Sequence, residues 1–379
     1  MHIALGVTGS IAAYKSLTLM RLLIKAGHTI QVLLTSTATQ FITPDAITAI
    51  TGTPPCMPTD YWDHMRCTPD CLLVAPATAN SMAAYAHGST PDPIARFALA
   101  FTGPKFLAPA MHSAMWAHPA TQRNLAQLIA DGWQILGPDT GALSGDDSGI
   151  GRFVDPAFIV LALDSVHAWR KVAPKITLAG HTLLLTAGGT TEALDSVRVI
   201  TNRSTGMWGE IIAHVASLLG AQVIMLSSQP PRYHNPAIQW HRFQTVSDLS
   251  TQLRQYITQA THLYMMAAVS DFLPPAYTGK YPREPLTLTL EPSPDILAGL
   301  DSPGIRRIGF CLSCEQDTQL ALELAEQKRV KKRCDAIILN HADSIGKLER
   351  SFHILTETHR HAYTAPLIQA SIHMLMQTI

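Results

Sequence analysis

Short apolar runs of strand length alternate along this chain with stretches in which apolar residues return every three or four positions. In the first half the runs are "HIALGVTG", "TIQVLLT", "CLLVAPA", "KFLAPAM" and "WQILGP", each bounded by glycine, proline or hydroxyl residues. A helical pattern between the first two ends near Ala26. Strands apolar on both sides and separated by helices predict a parallel sheet covered on both faces. "GRFVDPAFIVLALDSVHAWRK" reads as a closing helix, and "HTLLLTAGGT" then restarts the pattern. The restart predicts a boundary near residue 175, with domains 1–174 and 175–379. The second half predicts strands in "LLLTAGG", "QVIMLSS", "IQWHRF", "HLYMMAAVSDF", "LTLTLEP", "RRIGFCLS" and "AIILN". Helices are predicted over 208–219, 247–260 and 317–333, and a hairpin in "FHILTETHRHAYT" before the last helix. The expected fold class is α/β, two tandem doubly wound Rossmann-like domains with ligands at the carboxyl ends of the strands.

Composition narrows the partners. Hydrophobic residues make up 47% and charged residues 15%, a globular balance. Lys plus Arg and Asp plus Glu each total 28, so no global field would attract nucleic acid or an anionic membrane. Any anion must be gripped locally. No apolar run reaches the roughly 18 to 20 residues that span a bilayer, and "MHIALGVTGS" lacks the features of a secretory signal. The expected location is the cytoplasm. Cysteines 56, 67, 71, 311, 314 and 334 read as reduced thiols. "CLSC" at 311–314 has no second ligand pair and reads as buried thiols, and no protein metal motif is expected. His359 and His361 read as turn or edge residues.

Candidate chemistry in the first half lies at strand ends. "GVTGSIAAYKS" (6–16) is a glycine turn entering a helix that Ser10 can cap. Backbone amides there suit a phosphate, although an ordinary strand-to-helix turn explains them equally. "LTSTATQF" (34–41) and "APATANS" (75–81) repeat the arrangement, which favours a phosphorylated planar cofactor across three strand ends. "GVTGSIAAYK", "STATQFIT", "LLVAPATAN", "PAMHSAMW" and "SGDDSGIGRF" occur in this order. Together they resemble the homo-oligomeric flavin-containing cysteine decarboxylases, and phosphopantothenoylcysteine decarboxylases in particular. The resemblance implies FMN at Gly9, Ser10, Ser36, Ala75 and Thr78, a base at His64, and substrate contacts from Met111 and His112. In that family FMN oxidises the cysteine end of the substrate, carbon dioxide leaves, and a flap cysteine returns a proton. Here Ser144 takes the place of that cysteine, His112 that of a family asparagine, and the spacing from His64 to Asp70 is shortened. A helix-capping role for His112 is the alternative reading.

The second half carries "LLLTAGGTTEALDSVRVITNRSTGMWGEIIAHVASLLGAQVIMLSS" (183–228), without the glycine spacing of a dinucleotide or P-loop site. With "AAVSDF" (267–272), "SPDIL" (293–297), "IGF" (308–310) and "EQKRVKKRCDAIILN" (326–340), it resembles the phosphopantothenate–cysteine ligases. The resemblance implies CTP and Mg²⁺, an acyl-cytidylate, and Asn202 acting on it. Nucleotide contacts are implied for Met265, Met266, Ala267, Asp271, Pro294, Asp295, Ile296, Leu297 and Phe310. Lys280 matches the lysine at the reacting phosphate, with Arg283 a second cation. Lys328 and Lys332 lie four apart on one predicted helix face. Like charges so placed repel by a few tenths of a kcal/mol unless an anion sits between them; the resemblance implies contact with the nucleotide's phosphates for both, and complementing the helix dipole is the alternative. Met207 and Glu315 depart from the family pattern.

Both resemblances in one chain imply the bifunctional family of bacterial coenzyme A biosynthesis. Its partners would be 4'-phosphopantothenate, L-cysteine and CTP. The implied assembly is a homo-oligomer built on trimers, a dodecamer where ligase dimers join them. The alternative function is an active ligase fused to a flavin-binding domain that has lost full decarboxylation and serves as a scaffold.

Overall fold

The computed structural model describes the chain except residues 58, 60–67, 144–146, 174–176, 234, 236, 276, 302, 345–346 and 348. Two compact units emerge: Met1–Leu163 with Arg232–Pro236, and Asp164–Pro231 with Ala237–Ile379.

Unit 1 begins β1 (His2–Val7), α1 (Tyr14–Lys25), β2 (Thr29–Leu34), α2 (Pro44–Thr51), β3 (Cys71–Ala77), α3 (Ala79–Ala86) and α4 (Pro93–Ala100). It continues β4 (Lys105–Pro109), α5 (Ser113–Ala117), α6 (Pro119–Ala130), β5 (Trp133–Ile135), β6 (Asp139–Ala142) and β7 (Ser148–Arg152), and α7 (Pro156–Val172) follows, its residues from Asp164 onward belonging to unit 2. Among the described residues its main sheet has the order β2-β1-β3-β4-β5, every pair parallel. Every residue of β3 is buried, which is why this strand reads as an unbroken apolar run. Strand order reverses between β1 and β3, opening a crevice at their carboxyl ends.

The predicted closing helix differs at its start. Gly151 and Arg152 end β7, in an antiparallel hairpin with β6, and α7 begins only at Pro156. Proline is well suited to a first helical turn, and the Asp155 carboxylate accepts from Ala157 N at 2.7 Å.

Unit 2 runs β8 (Thr182–Ala187), β9 (Thr191–Ala193), β10 (Val199–Thr201), α8 (Met207–Leu218), β11 (Gln222–Ser227), β12 (Ile238–Arg242), α9 (Val246–Tyr256) and β13 (His262–Met265). It continues β14 (Phe272–Leu273), β15 (Glu291–Pro292), β16 (Arg306–Ser313), α10 (Thr318–Lys331), β17 (Ala336–His341), β18 (Glu349–Thr356), β19 (Arg360–Pro366) and α11 (Leu367–Thr378). The main sheet has the order β12-β11-β8-β13-β16-β17-β18-β19. Pairs from β12 to β17 are parallel and the last two are antiparallel. The parallel part has the dinucleotide-fold order, with its reversal between β8 and β13. The core locks α11 over α8: Trp208 Nε1 donates to Ser371 Oγ at 3.2 Å, and the fully buried Tyr264 hydroxyl meets Thr378 Oγ1 at 2.8 Å.

"LTLTLEP" is not the strand its alternation predicts. Only Glu291–Pro292 pairs, with Phe272–Leu273, while Leu286 and Leu290 are exposed. Alternation makes a strand only where a neighbour offers ladder bonds, and Pro285 and Pro292 cut the run on both sides. Helix boundaries at 207–218, 246–256 and 318–331 lie within a few residues of expectation, the last part of α9 tightening into a 3₁₀ turn.

His262, at the amino end of β13, is buried against the edge of the His181 ring at 5.1 Å and holds Thr261 Oγ1 at 2.8 Å. Burial, reinforced by His181 and Arg306, pushes its imidazole down to about 4. The native ring stays neutral while the unfolded one protonates below about 6.5. Stability from this group is therefore complete above that value and is lost as pH falls toward 4, by up to ~1.4 kcal/mol per pH unit. Melting curves between pH 4 and 7 should show a shallower acid decline for His262→Leu than for the parent; parallel declines would refute this.

Candidate functional site

At the carboxyl ends of unit 1, Ser10 caps a 3₁₀ turn (Ile11–Ala13) before α1, its Oγ accepting from Ala12 N at 3.2 Å. Thr78 caps α3 and joins its N–H to Thr8 Oγ1 at 3.2 Å, while the Thr8 hydroxyl donates to Pro76 O at 2.8 Å. A β-carbon on Gly9 would lie 2.2 Å from Thr37 Oγ1, so only glycine lets these two strand ends approach this closely. Ser36 is exposed beside them. Thus Gly9, Ser10, Ser36 and Thr78 all lie at the open ends of β1, β2 and β3. Ala75 does not: it is fully buried inside β3, and its carbonyl accepts from Ser16 Oγ at 2.8 Å. Sequence reasoning misses Thr8, whose hydroxyl ties the end of β1 to β3, Ser16, which ties α1 to β3, and Thr35 and Thr37, whose hydroxyls meet each other after β2. Their signal is the density of hydroxyl residues within "GVTGSIAAYKS" and "LTSTATQ".

The β6–β7 hairpin meets the end of β4. Met111 N donates to Gly151 O at 3.0 Å, and a β-carbon on Gly151 (φ +146°) would come within 2.1 Å of Met111 O. His112 does cap α5: its Nδ1 accepts from Ala114 N at 3.2 Å. An accepting Nδ1 puts the ring proton on Nε2, and Nε2 lies 2.5 Å from Asp147 Oδ2 at the start of the hairpin's second arm. Both ring nitrogens thus have protein partners. Burial, and after it the Arg152 guanidinium, push the nearby Lys15 ammonium below its usual range. His64 and Ser144 lie outside the described residues.

In unit 2 the ends of β8 and β13 are stitched together. Ala268 N donates to Gly188 O at 2.8 Å, Thr190 N to Ala268 O at 3.2 Å, and Ser270 N to Thr190 Oγ1 at 2.8 Å. Buried Thr186 Oγ1 accepts from Met266 N and Ala267 N, each at 3.0 Å, and donates to Met265 Sδ at 3.6 Å. Asn202 is exposed at the end of β10 and its Nδ2 donates to Ala268 O at 2.9 Å. The side chains of Met265, Ile296 and Leu297 are buried in one apolar cluster, so at these positions only the backbone is available to a ligand. Pro294, Asp295 and Asp271 are exposed, and Asp271 O accepts from Ser293 N at 2.9 Å. Phe310 packs edge-on against Trp208 at 5.7 Å.

The two lysines at the carboxyl end of α10, Lys328 inside it and Lys332 just after it, have separate partners. Lys332 Nζ lies 3.3 Å from Asp295 Oδ2, and Lys328 Nζ donates to Cys311 Sγ at 3.4 Å. Asp295 supplies the anion that offsets their repulsion, so their spacing alone does not require a bound phosphate. Cys311 is buried as expected, whereas Cys314 is exposed, because β16 ends at Ser313. Glu315 Oε1 accepts from Gln316 N at 3.0 Å, a local turn contact. Among the described residues no group of three or more His, Cys, Asp or Glu could hold a metal ion, and no helix is long and apolar enough to cross a membrane.

Lys280 is exposed in an irregular segment, but its neighbours are tied down. Asp195, between β9 and β10, has a fully buried side chain. Its Oδ1 accepts from Val197 N at 2.9 Å and Arg198 N at 2.7 Å, and its Oδ2 from Arg198 Nε at 2.8 Å and Tyr281 N at 3.1 Å. Burial opposes ionisation here, yet Arg198 and the three amides override it and hold the carboxyl well below the usual carboxylate range.

Residues 1–167 match the "Flavoprotein" family model, and residues 178–371 match the "DNA/pantothenate metabolism flavoprotein C-terminal domain". The "Coenzyme A biosynthesis bifunctional protein CoaBC" of Mycobacterium tuberculosis is 35% identical over 89% of this chain and 85% of its own. That of Vibrio cholerae is 35% identical over 91% and 88%. A solved "DNA/Pantothenate Metabolism Flavoprotein" from Streptococcus pneumoniae is 22% identical, covering 52% of this chain and 97% of its own, with a TM-score of 0.48.

Proposed function

Because this chain belongs to the bifunctional coenzyme A biosynthesis family, we propose that residues 175–379 join 4'-phosphopantothenate to L-cysteine at the expense of CTP, and that residues 1–174 decarboxylate the product on FMN. In the first step a carboxylate oxygen of phosphopantothenate attacks the α-phosphorus of CTP and pyrophosphate leaves. The cysteine nitrogen then attacks the acyl carbon of the acyl-cytidylate and CMP leaves. Negative charge grows on the phosphates and on the acyl oxygen, which calls for cations at one and a neutral donor at the other. Lys280 suits the phosphates, and Mg²⁺ would accompany them, held mostly by phosphate oxygens and water. The observation that carries the reading is the exposed Asn202 amide, held 2.9 Å from Ala268 O at the joined carboxyl ends of β8 and β13.

The strand ends of unit 1 suit FMN: the hydroxyls of Ser10, Ser36 and Thr78 and the amides of the Gly9 turn gather there, and the turn packs so closely on the end of β2 that a β-carbon at Gly9 would meet Thr37 Oγ1 at 2.2 Å. FMN supplies two-electron oxidation when bound. The protein's part is to hold the phosphate at the glycine turn and to order the β6–β7 hairpin over the end of β4. We take the assembly to be a homo-oligomer built on trimers.

The test is incubation of purified protein with phosphopantothenate, cysteine, CTP and Mg²⁺, following nucleotides and acyl products by mass. CMP, phosphopantothenoylcysteine and then 4'-phosphopantetheine are expected, and absence of CMP would overturn the reading. A second reading is favoured by His112: with Nδ1 on Ala114 N and Nε2 on Asp147, it is poorly placed to hold a substrate carboxylate. Unit 1 would then bind flavin and act as a scaffold. In that case the parent stops at phosphopantothenoylcysteine, and Ser144→Cys with His112→Asn produces 4'-phosphopantetheine.

A further inference from the structure

Lys280 and Asn202 stand far apart in sequence, and the segment that carries Lys280, from Pro274 to Leu290, has no regular secondary structure among its described residues. A free loop of that length would spread a lysine over many positions. Here the residues on both sides of Lys280 are bonded to the β9–β10 turn. Ser196 N donates to Gly279 O at 2.9 Å and Gly279 N to Ser196 Oγ at 3.1 Å. Tyr281 N donates to Asp195 Oδ2 at 3.1 Å, and Tyr281 O accepts from Arg198 Nη2 at 2.9 Å. The Tyr277 and Tyr281 rings stack at 3.8 Å, closing the segment on itself.

The same β-ribbon ends at Asn202. Its β10 strand is fixed by Thr201 Oγ1 donating to Thr190 O at 2.8 Å, one residue before the Asn202 contact with Ala268. We propose that Asp195 is a positioning residue: through the ribbon it holds the Lys280 segment in fixed register with Asn202, so that the cation and the amide act on one substrate. The inference rests on the ligase reading above. The two carboxylate oxygens divide the work. Oδ1 shapes the turn through Val197 N and Arg198 N, whereas Oδ2 reaches across to Tyr281 N and Arg198. A buried charged acceptor serving several donors is worth more than neutral bonds, and replacing it leaves donors unmet.

Asp195→Asn separates the two tasks, since the amide's oxygen can keep the Oδ1 bonds while its NH₂ cannot accept from Tyr281 N. In the full chain, CMP release should fall 10- to 100-fold in kcat with the KM for CTP within twofold. The double variant Asp195→Asn/Lys280→Ala should be no slower than Lys280→Ala alone, because Asp195 acts only through that lysine. Hydrogen exchange at Tyr281 N should accelerate in Asp195→Asn. Unchanged kcat, multiplying losses in the double variant, or a rise in KM alone would overturn the proposal. Should Asp195→Asn fail to fold, Ser196→Ala, which removes the acceptor for Gly279 N, is expected to lower kcat three- to tenfold, and no loss would overturn it. A parent that makes no CMP defeats the ligase reading instead; the exchange measurement still decides whether Asp195 holds the segment.

Discussion

Asn202→Ala should slow amide formation about 100- to 1,000-fold, the cost of removing one donor from a developing oxyanion, equivalent to ~2.7–4 kcal/mol. The proposed role puts the loss in the acyl-transfer half. Release of pyrophosphate from CTP should therefore persist while phosphopantothenoylcysteine fails to appear, and the acyl-cytidylate should accumulate to a level visible by mass. Asn202 is exposed, and among the described residues its side chain makes one hydrogen bond, to Ala268 O. The variant should accordingly melt within a few degrees of the parent, since a partly exposed bond contributes only about 1 kcal/mol. If both half-reactions slowed equally, Asn202 would serve nucleotide binding and the assignment to the acyl carbon would be wrong.

Gly9→Ala should leave unit 1 without flavin. The added methyl would lie 2.2 Å from Thr37 Oγ1 and 2.4 Å from Thr37 Cβ, with the Thr37 carbonyl carbon at 3.0 Å. Rotating the threonine hydroxyl cannot relieve all three contacts, so the backbone after β2 must move away from the turn after β1. Overpacking of this kind costs about 1–3 kcal/mol, and it falls on the glycine turn proposed to hold the FMN phosphate. Flavin retained per chain after gel filtration should drop at least tenfold relative to a parent loaded with FMN. Full retention would show that the ligand, if bound, does not use this turn. CMP formation should be unaffected, because the nucleotide residues all lie in unit 2.

Most elements were legible because their signals are local. The unbroken apolar run of β3, the hydroxyl cap before α3 and the glycine before α8 each reflect a few adjacent residues meeting one requirement. "LTLTLEP" was misread for the complementary reason: its alternation is genuine, but the chain brings it only a two-residue partner. "CLSC" shows the same limit. Strand periodicity buries Cys311, and the end of β16 leaves Cys314 outside.

The candidate sites divide in the same way. Asn202, Lys280, Gly9, Ser10 and Thr78 could be named from motifs, since loops that approach a ligand closely restrict residue type at each position. Asp195 sits in "ALDSVR" with no local signal for its role, and the spacing of Lys328 and Lys332 suits a phosphate as well as it suits Asp295, which only the fold brings to Lys332. His112 drew attention as a substitution, yet its partner Asp147 comes from a separate hairpin.

The amino-acid order alone determined two α/β halves, the alternation of their strands and helices, and the residue types at the strand ends, because periodicity, capping and turn chemistry act over a few residues. Tertiary structure alone decided which of those ends meet. Strand order places β8 beside β13 and β1 beside β3, and charged side chains such as Asp295, Asp147 and Asp195 then take whichever cations and amides that order brings within a few ångströms.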